Sequence, residues 1–330
     1  MNSKKVEVVD FNKLIDTLRL GTLKEKPVRV TGGLLNRMYK VNTTTGVYAI
    51  KHLNPEVMKR EKAKENHILA EKIANFAKEN GVNCIPAKII NGITLHEFEG
   101  NYFFVFDWFE GKSISDTEIT MEHVKKIATL MAKIHNIDFG EIKDKCNLGK
   151  EIFEVNWDFY IEKLENPEIK ALLLKNKNRL IELDKKSTID AKEIRNNLVV
   201  SHRDLDLPNV LWDIDNNPVI IDWESSGVVN PCEEVIETAW DWSGGQECFD
   251  KEKFKYFIEI YKNNGGDIKD YKKAIYANFK NKAGWLEYNL KRVCRIECLD
   301  DEEQKLGEKE VIRVIKEILF FYEILGLKWE

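Results

Sequence analysis

No stretch of this 330-residue chain reaches the roughly 18 uncharged apolar residues that a membrane helix needs. The longest apolar runs, such as Val314 to Leu327, are broken by charge, here Lys316, Glu317 and Glu323. The opening Met1-Asn2-Ser3-Lys4-Lys5-Val6-Glu7 has no apolar signal core, so neither a membrane partner nor a secretory leader is expected. Cysteine is scarce: Cys84, Cys146, Cys232, Cys248, Cys294 and Cys298 follow no repeating spacing. That excludes a disulfide scaffold and points to a reducing, cytoplasmic setting. Internal repeats and low-complexity segments are absent, and Gly-Gly occurs only at 32–33, 244–245 and 265–266.

What is present is enough for a sizeable core. Apolar residues make up 43% and charged residues 32%, a balance that a disordered chain does not have. At roughly 100–200 residues per domain, the length suits two lobes. Net charge is −5, unevenly placed. Residues 1–110 hold 17 Lys/Arg against 13 Asp/Glu (+4), and residues 111–330 hold 34 against 43 (−9). An acidic second part does not suit nucleic acid as a partner. Such a split does suit an anion held by one part and a cation by the other, and ordinary solvated surface charge explains it as well.

The first part reads as β-rich. Val28–Val30, Met38–Asn42 and Gly46–Leu53 look like strands, followed by a helix from about Glu56 to Asn80, then strands over Ala87–Ile90 and Tyr102–Trp108 with a turn at Asn91-Gly92. After Glu110-Gly111 the pattern is helical, beginning with an apolar stripe through Val124, Ile127, Ala128, Met131, Ile134 and His135. A compact strand-and-loop block interrupts it: Leu198-Val199-Val200, the polar segment Ser201–Asn209, Val210-Leu211-Trp212, a turn at 215–218, and Val219-Ile220-Ile221-Asp222. Helices resume near Glu233.

That block carries the chemistry. Phosphoryl transfer from a nucleotide needs a hydroxyl held in line, a carboxylate to receive its proton, and metal ions to neutralise phosphates. Asp204 can be that carboxylate. Asn209 and, thirteen residues later, Asp222 offer hard oxygen ligands of the kind that suit Mg²⁺.

The block resembles the catalytic and metal motifs of the aminoglycoside phosphotransferase and choline kinase family, relatives of the protein kinases. The family pattern His-x-Asp-x-x-x-x-Asn followed by Ile-Asp-Trp/Phe-Glu is matched by His202, Asp204, Asn209 and Ile221-Asp222-Trp223-Glu224. The resemblance runs from about residue 28 to 245. It implies an α+β, bilobal, protein-kinase-like fold: a small antiparallel-sheet lobe with one helix over 1–109, ending in a nucleotide hinge, and a large helical lobe over 110–330 with the catalytic loop, metal site and acceptor pocket. Gly32-Gly33-Leu34-Leu35-Asn36-Arg37-Met38-Tyr39 is similar to the family's phosphate-side loop, which gives Gly33 and Asn36 to the nucleotide. Lys51, ending the strand Val47–Lys51, would grip the phosphates; its helix partner would be Glu65, which lies four before Leu69 and eight before Ile73 and so shares their face, with Glu61 as second choice. Asp107 and Phe109 would hold adenine through backbone groups, which accept ATP and GTP alike, with Phe106 behind the pocket. His135 and His202 would brace the catalytic loop.

Departures matter too. The Gly-x-Gly-x-x-Gly, Asp-Phe-Gly and Ala-Pro-Glu motifs of protein kinases are missing, and the short span from Asp222 to Glu233 leaves little room for a peptide-docking segment. Glu234 stands where the family often has Asp. On the acceptor side, Asp206, Glu224, Glu237, Asp241, Trp285 and Glu287 are candidates: carboxylates beside aromatic faces suit an amine or quaternary ammonium. Trp223, Trp240 and Trp242 are read equally well as core. The expectation is an ATP- and Mg²⁺-dependent phosphotransferase acting on a hydroxyl of a small cationic molecule, an aminoglycoside, amino sugar or amino alcohol. A catalytically retired binding or spore-coat-type scaffold protein and a protein kinase stay open as alternatives.

Overall fold

A computed structural model describes residues 9–30, 35–146 and 154–325. In chain order the elements are α1 (Phe11–Thr17), β1 (Val28–Val30), β2 (Arg37–Thr43), β3 (Gly46–His52), α2 (Pro55–Met58), α3 (Ala63–Glu79), β4 (His96–Phe98), β5 (Asn101–Asp107), α4 (Met121–His135), α5 (Glu141–Lys145), α6 (Trp157–Lys163), α7 (Pro167–Glu193), β6 (Val199–Ser201), β7 (Val210–Trp212), β8 (Pro218–Ile220), β9 (Gly227–Val229), α8 (Pro231–Asp241), α9 (Gly245–Cys248), α10 (Lys251–Asn263), α11 (Tyr271–Ala277), α12 (Phe279–Val293) and α13 (Asp301–Ile324). Among the described residues no helix is long and apolar enough to cross a membrane.

Two compact units emerge: Met1–Ser113 with Pro208–Ser226, and Ile114–Leu207 with Gly227–Glu330. The sequence reading placed all of 110–330 in one helical lobe. Instead the β7–β8 hairpin, with Asn209 and Asp222 at its base, belongs to the first unit. Backbone bonds explain this: Ile85 donates to Ile220 O (3.1 Å) and Ile220 to Asn83 O (2.9 Å), which stitches the hairpin to the segment after α3.

In the first unit a five-stranded antiparallel sheet runs β1-β2-β3-β5-β4. Side chains alternate faces along a strand. Val41, Tyr48, Ile50, Phe103 and Val105 therefore pack on one face against Leu14, Ile15, Leu18 and Leu20, from α1 and the residues after it. Phe104 and Phe106 face the other way and pack with Leu53, Met58, Ala63 and Ala87. Lys51 pairs across the ladder with Phe104 and shares that second face. Helix α1 was not foreseen, although Asp10 caps it by accepting from Lys13 N (3.2 Å). The unit therefore has more than one helix. The expected strand over Ala87–Ile90 is absent; only Ile90 bridges to Ile93 around the Asn91-Gly92 turn, where both residues have positive φ (53° and 81°). The edge strand is β4 instead.

The second unit is helical, with one two-stranded ladder, β6–β9. Asn-Pro dipeptides start three helices along the chain, α2, α7 and α8. In each, the Asn side chain accepts from first-turn amides while proline fills a position whose N–H has no helical partner. Helices α12 and α13 pack along their length, burying Leu286, Leu290, Val311, Val314 and Ile318.

Candidate active site

In the first unit the site is built around a buried ammonium. Lys51 on β3 is only 4% exposed. Its Nζ donates to Asp222 Oδ1 (2.6 Å) and to Glu224 Oε2 (2.8 Å). Burial by itself would lower the pKa of this lysine; the two carboxylates override it, and the net shift is upward. Both carboxylates come from one tight turn. Asp222 takes a left-handed conformation (φ 61°) before the short helix Trp223–Ser225, and Trp223 is buried, anchoring the turn, which packs on α3. A left-handed non-glycine residue is unusual and is held by its surroundings. Asn36 completes the cluster: its Nδ2 donates to Glu224 Oε2 (2.6 Å) and its Oδ1 accepts from Asn54 N (2.9 Å). Gly33 lies outside the described residues.

The expected partner of Lys51 is corrected. Glu65 and Glu61 are exposed, and Lys51 takes Asp222 and Glu224 instead. Helix α3 buries Ala63, His67, Ala70, Glu71, Ile73, Ala74 and Ala77. Its inward stripe follows the alanines, not the line through Leu69 that selected Glu65. The buried carboxylate of α3 is Glu71, which accepts from Ala87 N (2.6 Å) and is pushed up to about 7, mainly by burial. One turn earlier, His67 is pushed down to about 4 by burial and the nearby Lys51 charge.

Asn209 and Asp222 meet at the base of the β7–β8 hairpin, where Ile221 N donates to Asn209 O (3.0 Å). The amide oxygen of Asn209 and the Asp222 carboxylate are of the hard-donor kind that Mg²⁺ takes, with Asp222 Oδ1 also accepting from Lys51 Nζ. Among the described residues no group of three or more His, Cys, Asp or Glu stands ready to hold a metal by itself. Mg²⁺ usually keeps such sparse protein ligation and takes further oxygens from substrate phosphates and water. At the expected hinge, Asp107 ends β5 opposite Tyr48 and its carboxylate receives Lys88 Nζ (2.6 Å). Trp108 N donates to Val47 O (3.1 Å), and the Phe109 ring folds against Gly111, where a Cβ would meet it at 2.4 Å. Phe106 is core.

In the second unit, Asp204 is exposed on the loop after β6, and that loop is held from beneath. Glu234 Oε1 accepts from Ser201 Oγ (2.9 Å) and from Arg203 N (2.7 Å). Its Oε2 pairs with His135 Nε2 (2.8 Å), while His135 Nδ1 meets Tyr261 OH (2.7 Å). Burial would raise the Glu234 pKa, but the bonds from His135, Ser201 and Arg203 outweigh it and keep the carboxylate below its ordinary value. Arg203 has φ 65° and Gly227 leaves room for its guanidinium, with 3.1 Å from Nη1 to where a Cβ would sit. Trp242 Nε1 ties down Leu205 O (2.9 Å). His135 thus holds the loop through Ser201 and Glu234, and His202 is fully buried.

The acceptor-side candidates separate. Glu224 sits on Lys51 in the first unit. Trp285 Nε1 donates to Glu310 Oε2 (3.0 Å), and Glu287 accepts from Tyr160 OH (2.8 Å), so both are engaged in helix packing. Asp206 is half-buried beside the Asp204 loop. Trp240 and Trp242 are core, Trp240 stacking on Phe249 at 4.9 Å. Glu237 and Asp241 do converge: with Glu233 they form a stripe at every fourth residue of α8. Glu233 is pushed up to about 7, first by burial and then by Glu237. Asn281 Nδ2 bridges Glu233 Oε1 (3.2 Å) and Glu237 Oε2 (3.1 Å). Asp241 is held well above its ordinary range by burial and by Glu317, Glu237 and Asp204, against the pull of Lys282. Sequence reading missed Lys282, 7% exposed, whose Nζ donates to Glu317 Oε1 (2.6 Å). The signal was visible: Glu317 is one of the charges breaking the last apolar run.

Set beside known proteins, residues 27–261 match a family model described as the phosphotransferase enzyme family. Among solved structures, the chain is similar to a spectinomycin phosphotransferase in complex with ADP and spectinomycin, with 14% identity over 94% of this chain and 98% of that one, TM-score 0.68. It is similar to an ethanolamine kinase from Plasmodium vivax (16% identity, 94% and 84% covered, TM-score 0.61) and to a choline kinase from Cryptosporidium parvum (14% identity, 96% and 98% covered, TM-score 0.57). No curated protein matches. At these identities the likeness speaks for the fold, the α+β protein-kinase-like class expected from the motifs.

Proposed function

The chain belongs to the phosphotransferase enzyme family and is a small-molecule kinase; within that activity, we propose that it moves the γ-phosphate of ATP to a hydroxyl of a small cationic molecule. GTP is the alternative donor. In this reading Lys51 binds nucleotide phosphates, helped by Asn36, and the backbone of Asp107 and Phe109 holds the base. Asn209 and Asp222 would hold Mg²⁺, which neutralises phosphate charge when bound. Asp204 receives the proton of the acceptor hydroxyl as its oxygen forms a bond to the γ-phosphorus and the bond to the departing ADP oxygen breaks.

The observation that carries the cationic acceptor is the α8 stripe. Glu233, Glu237 and Asp241 crowd together with one buried lysine, Lys282, and Asp241 feels the charge of Asp204. Crowded carboxylates with raised pKa values are relieved by an incoming ammonium, which favours their ionised forms. The similarity to proteins named for spectinomycin, ethanolamine and choline supports the same class. A panel of aminoglycosides, other amino sugars, choline, ethanolamine and homoserine, scored for ADP and GDP release, tests it. Turnover with an amine-bearing alcohol and none with its uncharged analogue supports the reading; turnover only with neutral or anionic alcohols overturns it.

A further inference from the structure

We infer that Glu224 is an internal ligand of the phosphate-binding lysine, competing with an incoming phosphate for Lys51 and displaced from it when the phosphate binds. The inference rests on the reading of Lys51 as the lysine that holds nucleotide phosphates. It concerns how tightly the first unit takes an anionic nucleotide.

The geometry is that of an occupied anion site. An ammonium offers three donors in fixed tetrahedral directions. In Lys51 one goes to Asp222 Oδ1 (2.6 Å) and another to Glu224 Oε2 (2.8 Å), and the side chain is almost fully buried. Phosphate oxygens would meet an ammonium with two of its three donors engaged, flanked by two carboxylates of their own sign. The two carboxylates are not equivalent. Asp222 is fixed by its left-handed backbone at the end of the hairpin, whereas Glu224 lies on the short helix that follows and reaches Lys51 with a longer, rotatable side chain. Glu224 is therefore the group that can leave.

Something also holds Glu224 in place. Asn36 Nδ2 donates to the same Oε2 atom (2.6 Å). Its amide is oriented from the opposite end, because Oδ1 accepts from Asn54 N (2.9 Å), and Asn54 itself caps α2 through Glu56 N (2.9 Å). The Asn36 donor that lies beside Lys51 is thus given to Glu224 as well. Displacing Glu224 frees two donors together, one ammonium N–H and one amide N–H, and both suit a phosphate oxygen. The exchange swaps a singly charged carboxylate for a more highly charged phosphate on the same lysine.

The test is ADP binding by calorimetry in EDTA, so that no metal takes part, on wild type and on variants whose melting temperatures confirm folding. Glu224→Gln removes the charge and keeps the shape; it should bind ADP about tenfold more tightly, the loss of one charge-assisted contact from the competing state. Glu224→Asp keeps the charge but shortens the reach, so it too should bind more tightly than wild type. No gain in Glu224→Gln overturns the inference. A gain in Glu224→Gln with none in Glu224→Asp assigns the effect to the local field and overturns it as well. Lys51→Met separates the underlying reading: if it leaves ADP affinity unchanged, Lys51 is not the phosphate lysine, whereas weakened binding in Lys51→Met without a gain in Glu224→Gln sinks only the displacement.

Discussion

Removing the charge of Glu234 should loosen the loop that carries Asp204. In Glu234→Gln one oxygen can still accept from Ser201 and Arg203, and the new amide group turns toward His135. The imidazole can answer by changing tautomer, since Tyr261 OH can reverse its own bond at Nδ1. No buried donor need be orphaned; what is lost is charge assistance on three hydrogen bonds. At about 1 kcal/mol each, the difference between charged and neutral bonds, the cost is about 2–3 kcal/mol. For a unit of this size that lowers the melting temperature by roughly 5–10 °C. Glu234→Ala instead removes the acceptor from the Ser201 hydroxyl and the Arg203 amide and leaves His135 Nε2 with Ser201 Oγ alone, at about 1–3 kcal/mol for each donor left unpaired, which is a large share of the stability of a domain. The functional effect runs through Arg203. Its left-handed backbone costs about 1–2 kcal/mol and is held by the bond from its amide to Glu234. A weaker hold lets that peptide relax and Asp204 shift, so kcat should fall at least about tenfold, given how steeply rate depends on placement. Nucleotide affinity should not change, because the residues proposed to hold the nucleotide and its metal, Lys51, Asn209 and Asp222, lie in the first unit. The Glu234 pKa is depressed on folding, so its contribution is full above the unfolded value and lost as pH falls through the folded one. Wild-type melting should drop with acid in that window, and Glu234→Gln should not share that part of the drop. Calorimetric melting and coupled ADP release measure both effects. A variant that melts and turns over like wild type refutes the brace, and one that melts lower with full kcat refutes the route through Arg203.

Three further outcomes follow from the same geometry. Asp204→Asn should lower turnover by about 10²–10⁴ while ADP binding, read by calorimetry, stays intact; near-normal turnover would remove Asp204 from the reaction. Glu71, ionising near 7 in the fold but near 4.5 unfolded, costs stability as pH rises from about 4.5 to 7, by about 3 kcal/mol at most. Glu71→Gln can still accept from Ala87 N and should abolish that decline, melting higher than wild type at pH 8; a melting temperature at or below wild type there rejects the neutral, buried carboxyl. Lys282→Met should destabilise by about 3 kcal/mol by leaving Glu237 and Asp241 without a cation and Glu317 with Arg313 alone; denaturant midpoints check this, and a neutral result would mean those carboxylates are protonated.

The site was legible where spacing and backbone pattern coincide. Lys51 comes near the end of an apolar strand, and the Asn209 and Asp222 hairpin is bracketed by apolar runs, so both could be placed by local rules. Glu65 failed because a helical stripe is defined by what it packs on. The inward face of α3 is lined by alanines, small enough to let the Trp223–Ser225 turn pack against it, and hydrophobic size pointed to Leu69 instead. The α8–α12–α13 cluster was illegible for another reason. Glu237, Lys282 and Glu317 lie far apart in sequence, and charge on a helix normally reads as solvated surface. Only the interruption of an apolar run by Glu317 marked it as a helix with something polar to bury.

Among the described residues two lysines are buried, and the contrast between them says which is built to change partners. Lys282 projects from the first turn of α12 to Glu317 on α13, with Glu237 on α8 at 3.9 Å. Its partners sit on two other helices, one of which, α13, packs along α12, so separating Lys282 from Glu317 means moving whole elements. Such an ion pair acts as a cross-link. Lys51 draws both partners from one turn of three or four residues, and one of them, Glu224, is also held by a single asparagine donor. Rotating one side chain exchanges that partner without disturbing the sheet beneath. The same pairing of ammonium and carboxylates therefore makes a fastener in the helical unit and an exchangeable contact in the sheet unit. Difference in partner mobility, not in burial or charge, is what the proposed role of Lys51, binding and releasing a phosphate, would draw on.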